Sequence, residues 1–211
     1  NVQILSSNLV QNGDFSEEGV QEVSNGSFSQ EGVELVTNGS FDTDSDWTKG
    51  TGWSIGDGKA ISDGTSSNLD QSNTFLSGKT YKVVYTIEDY VSGDTRFRFT
   101  GTSNENGTLR SANGIYTEYI TLTNNQSILR FVGSGILSIT NISVKEVGQD
   151  WAFTSGATLT DIGAKITHTP SAGVITQINS LVIGKNYKFT YEITESVSGG
   201  LKLNSAVDNT M

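Results

Sequence analysis

The feature that most constrains this chain is a long internal repeat. Gly78-Lys79-Thr80-Tyr81-Lys82-Val83-Val84-Tyr85-Thr86-Ile87 recurs 106 residues later as Gly184-Lys185-Asn186-Tyr187-Lys188-Phe189-Thr190-Tyr191-Glu192-Ile193. Val91-Ser92-Gly93 recurs at the same distance as Val197-Ser198-Gly199, and Asp46-Trp47 recurs 104 residues on as Asp150-Trp151. A two-residue insertion therefore separates the matches. Aligned Trp, Gly, Lys and Tyr over half a domain mark a duplication, and self-similarity at a fixed distance decides the architecture before any local reading does. The 211 residues hold one domain of about 110 residues and the start of a second.

The second copy is incomplete. In the first copy the repeat is followed by Gly107, a strand over Tyr116–Leu122, a strand over Leu129–Phe131 and a closing strand to Val147. The second copy reaches Met211 without counterparts to these. Half a sandwich cannot cover its own apolar face. The remaining strands are expected from sequence beyond that given, or from another chain.

A shorter repeat precedes the domains. Asn12-Gly13-Asp14-Phe15, Asn25-Gly26-Ser27-Phe28 and Asn38-Gly39-Ser40-Phe41 follow one another at intervals of 13 residues. Leu9-Val10, Glu22-Val23 and Leu35-Val36 stand before them. Each unit reads as a short strand, a tight turn at Asn-Gly and a buried Phe. Two readings remain: a stalk or strand-stacked collar, or a duplicated leader in which only the third copy is the true first strand. The chain divides into a leader over 1–33, a complete sandwich over 34–147 and the first half of a second over 148–211.

Strand parity supports an all-β fold. Tyr81, Val83, Tyr85 and Ile87 alternate with Lys82, Val84, Thr86 and Glu88, and Tyr187, Phe189, Tyr191 and Ile193 repeat the pattern. This period of two predicts half-buried strands. Thr95, Phe97 and Phe99 point inward and Arg96 and Arg98 outward; Leu201 and Leu203 take the inward parity in the second copy. Leu137 and Ile139 share one face, whereas Ile142 and Val144 have the opposite parity. A β-bulge near Asn141 would return both pairs to the core. Trp47, Trp151 and Trp53 read as core anchors. No segment reads as a helix, and Gly/Ser/Thr/Asn/Asp clusters every 8–12 residues suit a sandwich or barrel.

Charge and composition exclude several function classes. The net charge is −10, nine of the 23 acidic residues lie in residues 1–48, and the first basic residue is Lys49. Nucleic-acid binding needs clustered Lys/Arg, and anionic membrane surfaces need the same. No run of 18 apolar residues is present for a membrane span. With no Cys there is neither a disulfide nor a thiolate site. The lone His168, in Thr167-His168-Thr169-Pro170, has no paired acid in a recognisable motif for nucleophilic catalysis. The acids Asp42, Asp44, Asp46, Glu88 and Asp89 do not show the separated acid and base of glycoside hydrolysis. The reading is a non-enzymatic protein.

The candidate binding residues are polar or aromatic side chains on outward positions. Arg96, Arg98, Tyr119 and Tyr90 are the candidates for sugar contact. Aromatic rings stack on the apolar faces of sugars, and Arg donates paired hydrogen bonds to hydroxyls or carboxylates. The Asn38–Asp46 loop offers oxygen ligands for Ca²⁺, which takes carboxylates and carbonyls.

Together these residues carry a family resemblance. Leu35-Val36-Thr37-Asn38-Gly39-Ser40-Phe41, then Trp47, Trp53-Ser54-Ile55 and Gly58-Lys59-Ala60, resemble the opening of carbohydrate-binding-module-like jelly rolls. Gly78-Lys79-Thr80-Tyr81 and the closing Leu137-Ser138-Ile139-Thr140-Asn141-Ile142-Ser143-Val144 continue the match. The Asn-Gly-x-Phe leader resembles tail, fibre and other appendage proteins of bacteriophages. The resemblance implies a jelly-roll β-sandwich in tandem copies. It also implies a virion component such as a tail or head fibre or decoration protein, homo-oligomeric with other virion proteins as partners, attaching to host-surface glycans. A secreted bacterial adhesin, a module of a polysaccharide-degrading enzyme, and a purely structural particle component are the rival readings. The family often carries an acid before the Asn of the closing strand as a ligand of structural Ca²⁺. Here that position is Thr140, which leaves Asn38 and Asp42 as the calcium candidates.

Overall fold

The computed structural model describes residues 17–167, 171–178 and 181–203. The first repeat, Asn12 to Phe15, and His168 lie outside the described residues. The chain divides into two compact units, the first ending at residue 179 and the second starting at residue 180.

Among its described residues the first unit carries fifteen strands. They are β1 (Glu31–Glu34), β2 (Thr48–Lys49), β3 (Trp53–Gly56), β4 (Lys59–Asp63), β5 (Ser67–Phe75), β6 (Thr80–Ser92), β7 (Thr95–Gly101), β8 (Asn104–Asn106), β9 (Gly114–Thr121), β10 (Gln126–Gly133), β11 (Ile136–Val147), β12 (Ala152–Thr154), β13 (Ala157–Thr160), β14 (Gly163–Ile166) and β15 (Val174–Thr176). One sheet runs β3-β4-β11-β6-β9, with β1 beside β11, and the second runs β2-β5-β10-β7-β8. Numbered from β4 to β11, the first sheet takes strands one, eight, three and six and the second takes two, seven, four and five. Every pairing is antiparallel. This alternation between two sheets is the jelly-roll order.

Side-chain parity builds the core. Tyr81, Val83, Tyr85 and Ile87 are buried along β6, with Lys82, Val84 and Thr86 half-exposed between them. From the opposite sheet Phe97, Phe99, Leu129 and Phe131 meet them in one apolar cluster. Tyr85 lies 5.2 Å from Phe131 and 6.0 Å from Phe97, both edge-on. Each fully buried side chain of this size contributes about 1.5–3 kcal/mol of transfer free energy. The expected bulge is present. The β11–β6 register shifts between Thr140 and Ser143, Asn141 takes φ 53°, and Leu137, Ile139, Ile142 and Val144 are all buried. The first strand starts earlier than the Leu35-Val36 reading, at Glu31, where Glu31 faces Val147 and Glu34 faces Lys145.

The leader then turns into the sandwich. Gln71, buried on β5, accepts the Thr37 N–H at 2.9 Å and donates to the Thr37 carbonyl at 2.7 Å. The Trp47 indole N–H donates to the Asn38 carbonyl at 3.1 Å, and the Phe41 ring lies 5.3 Å from it. Gly39 is required by close approach, since a Cβ there would sit 2.0 Å from the Ile142 carbonyl oxygen.

Residues 148–178 repeat the opening of this template. Ala152 pairs with Thr176 as Thr48 pairs with Asp70, and Ala157 pairs with Ile166 as Trp53 pairs with Ser62. The offset is 104 through Ile166 and 106 from Val174. The two-residue insertion therefore lies between those residues. Trp151 is only half-buried, unlike Trp47 and Trp53.

The second repeat of the leader is folded, and it is seated on this second copy. The Trp151 indole N–H donates to the Asn25 carbonyl at 3.0 Å, and Phe28 lies 5.1 Å from Trp151. Gln177 accepts the Ser24 N–H at 2.9 Å and donates to the Ser24 carbonyl at 2.7 Å. The second repeat forms a turn and no strand, and residues 24–28 serve the second copy as 37–41 serve the first.

The second unit corrects another expectation. The alternating strand expected over 187–193 and the inward leucines Leu201 and Leu203 do not form strands among residues 181–203. Only the turn of the template is kept: Val182 N–H donates to the Tyr187 hydroxyl at 2.8 Å, as Leu76 N–H donates to Tyr81. Tyr191 is 57% exposed where its counterpart Tyr85 is 0%. The physical reason is pairing. In the first copy β6 lies between β11 and β9, and a strand is stable only when neighbours take its backbone groups and cover its apolar face.

Candidate functional site

The outer face of the five-stranded sheet carries an arginine row. On β7, Thr95, Phe97 and Phe99 turn inward, which aims Arg96, Arg98 and Thr100 outward. On β10 the same parity buries Leu129 and Phe131 and presents Arg130. Register then aligns Asn106, Arg98, Arg130 and Asp70 across four strands. Arg130 holds Asp70 through a two-point pair, Nε to Oδ1 at 2.7 Å and Nη2 to Oδ2 at 2.6 Å. Arg98 Nε donates to Asn106 Oδ1 at 2.7 Å.

Electrostatics separates these arginines. The Asp70 carboxylate hydrogen-bonded to Arg130 raises that guanidinium's pKa. Partial burial, then the charges of Arg96 and Arg130, lower that of Arg98. Among the described residues, the arginines in ion pairs are Arg110 and Arg130. Arg96 and Arg98 thus keep uncompensated charge, side by side, on a chain of net charge −10. The arrangement can donate several hydrogen bonds in one plane to hydroxyls or to a carboxylate.

The four candidate sugar residues do not form one surface. Arg96 and Arg98 share β7. Tyr119 is on β9 of the other sheet, opposite Lys82 and on the outer side of that sheet. It lines a cleft of about 300 Å³ with Phe28, Glu31, Lys82 and Asp161. Burial raises the Tyr119 phenol pKa, against the opposing charge of Lys82. Arg96 and Arg98 therefore do not share a face with Tyr119, because β7 and β8 form a hairpin within the five-stranded sheet and the chain crosses to the other sheet before β9 pairs with β6. Tyr90 belongs to its own turn: its hydroxyl donates to the Gly93 carbonyl at 3.1 Å and its N–H to Asn113 Oδ1 at 2.9 Å.

The calcium loop is closed by its own hydrogen bonds. Asn38 Nδ2 donates to the Thr43 carbonyl at 2.7 Å and the Ser45 carbonyl at 3.0 Å. Those are the oxygens a cation would take. Asp42 accepts the Ser40 hydroxyl at 2.7 Å, and Asp44 pairs with Lys49. Among the described residues no group of three or more His, Asp or Glu side chains could hold a metal. Thr140, where the resemblance leads to the expectation of an acid, donates its hydroxyl to the Gly58 carbonyl at 2.8 Å. This donor set does not fit Ca²⁺ at Asn38 and Asp42.

The acids weighed for glycoside hydrolysis are engaged elsewhere. Glu88 and Asp89 both pair with Lys59, at 2.9 and 3.0 Å, and Asp46 accepts the Ser45 hydroxyl. Sequence reasoning missed a second cluster. Arg110 pairs with Glu118 at 3.2 Å and lies 4.6 Å over the Tyr116 ring, and the Tyr85 hydroxyl donates to Glu118 at 3.1 Å. Burial, and then the Glu118 charge, push the Tyr85 phenol well above its ordinary range. Glu118 on the parity of Tyr116 was the available signal.

No protein-family model matches the chain, and no curated protein matches it. Among solved structures the chain is similar to one described as "CBM4 structure and function", at 13% identity and a TM-score of 0.35. The match covers 58% of this chain and 98% of that one.

Proposed function

We propose that this chain is a non-enzymatic modular binding protein of an extracellular appendage, specifically a bacteriophage virion component. In this reading the outer face of the five-stranded sheet attaches it to host-surface glycans. The observation that carries the proposal is the uncompensated pair Arg96 and Arg98 in a register-aligned polar row with Arg130, Asp70 and Asn106. The row has no aromatic side chain, so hydrogen bonding and charge dominate over stacking. That favours glycans bearing carboxylates. Repetition of the module adds avidity, so a single site need not be tight. The exposed Tyr187, Phe189, Tyr191 and Ile193 support assembly with further copies or partners. A purely structural role is the second reading, favoured by the leader segment that ties the second copy to the first.

A glycan array with the parent protein and three single-alanine variants tests the proposal. A hydrogen bond to a charged group contributes about 1.5–3 kcal/mol, so Arg96→Ala and Arg98→Ala each weaken binding roughly 10- to 150-fold. Tyr119→Ala leaves it unchanged. Equal signals from the parent and both arginine variants would remove this surface, as would an array on which the parent binds nothing.

A further inference from the structure

Two leader segments occupy two seats of one design, and their order is inverted. Residues 37–41 serve the first copy, while residues 24–28, which come earlier in the chain, serve the later one. The likeness is detailed. Asn38 and Asn25 take φ 50° and 44°, and Phe41 and Phe28 both take φ 58°. The Phe N–H closes onto the Asn carbonyl at 3.2 Å in one and 3.0 Å in the other. Each Asn carbonyl receives a Trp indole N–H, from Trp47 and Trp151, and each preceding residue is clamped by a Gln, Gln71 and Gln177.

The seat reads few side chains. The Gln clamp contacts only backbone, at Thr37 in one case and Ser24 in the other, so the residue before Asn is free to vary. The Trp contact also reads backbone, at the Asn carbonyl. What remains specified is Asn, at positive φ, for the turn and Phe for the ring contact. The first repeat, Leu9-Val10-Gln11-Asn12-Gly13-Asp14-Phe15, keeps these, with Gln11 at the unread position.

We propose that the Trp151–Gln177 seat is a recognition site for Asn-Gly-x-Phe segments and that residues 9–15 are a second ligand for it. The leaders are then interchangeable latches. Moving from the second to the first repeat lengthens the connection to β1 at Glu31 roughly fivefold, and the entropic penalty of such a loop is about tenfold in the equilibrium constant. The exchange is therefore accessible.

The test uses the full chain and the protection of the Trp151 indole N–H from hydrogen exchange, with Trp47 and Trp53 as internal controls of the first sandwich. Phe15→Ala leaves protection unchanged. Phe28→Ala keeps it within about tenfold of the parent, because residues 9–15 take the seat at the loop penalty above. The double variant loses it by considerably more than the two single effects combined. A synthetic peptide of residues 8–18 then restores Trp151 protection in the double variant, and the same peptide with Ala for Phe15 does not. Phe28→Ala as damaging as the double variant, or failure of the peptide to restore protection, would overturn the proposal. So would a double variant that keeps full protection.

Discussion

Replacing Gln71 with leucine probes how the leader is held to the sandwich. Gln71 is 7% exposed, and its carboxamide bonds to the Thr37 N–H, the Thr37 carbonyl and, at 3.3 Å, the Asp46 carbonyl. Leucine keeps most of the volume and removes every polar atom, so the effect is on hydrogen bonding and not on a cavity. A backbone group orphaned in the interior costs about 1–3 kcal/mol. Thr37 itself is exposed, so water recovers part of that loss and the low end applies to the two short bonds. The expected destabilisation is about 2 kcal/mol. For a sandwich of this size it lowers Tm by roughly 8 °C, at about 4 °C per kcal/mol. Calorimetry and urea unfolding should agree, with the midpoint moved and the slope kept. Gln177→Leu removes the matching bonds to Ser24. It should leave the main transition unmoved while exposing Trp151. A Gln71→Leu protein melting within about 2 °C of the parent would refute the clamp as the fastening.

Three further outcomes follow from the same geometry. Gly39→Ala drives a Cβ to 2.0 Å from the Ile142 carbonyl oxygen, whereas at Gly26 the nearest neighbour is a Val23 methyl at 3.5 Å. Calorimetry should therefore show Gly39→Ala destabilised by about 1–3 kcal/mol and Gly26→Ala neutral or stabilised by up to about 1 kcal/mol. Lys82 and Lys145, bonded at 2.6 and 3.0 Å, hold the Glu31 carboxyl below its ordinary value of 4.5. A depressed carboxyl stabilises the fold above that ordinary value and loses its contribution as pH falls through the folded one, so acid titration should lower Tm below pH 4.5 and Glu31→Gln should flatten that fall. Chelator should leave Tm unchanged because the Asn38 amide occupies the loop carbonyls; a clear drop, reversed by Ca²⁺, would refute that reading.

Much of the fold was legible because strand parity and duplication are local signals. The β6 alternation, the inward Phe97 and Phe99, and the parity break at Asn141 each follow from a period of two along one strand. What was not legible depends on pairing between distant strands. Parity gives Arg98 and Tyr119 an outward face, but it does not say that β7 and β9 belong to opposite sheets. Arg130 and Asp70 join the site only through register, since Arg130 lies 60 residues from its partner. The same limit explains residues 187–193. Their pattern is that of β6, yet a strand also needs neighbours, and those are not among the described residues. The seat of residues 24–28 was hidden for a different reason, because leader repeats pair with modules in inverted order.

The binding account is tested most directly by titrating isotope-labelled protein with a uronic-acid-bearing oligosaccharide and with its neutral counterpart, following backbone amides and arginine Nε–H resonances. The account predicts shifts confined to Arg96, Arg98, Arg130 and the flanking amides of β7 and β10, strong with the acidic sugar and weak with the neutral one. Shifts centred on the Tyr119 cleft, equal shifts with both sugars, or none at all would contradict it.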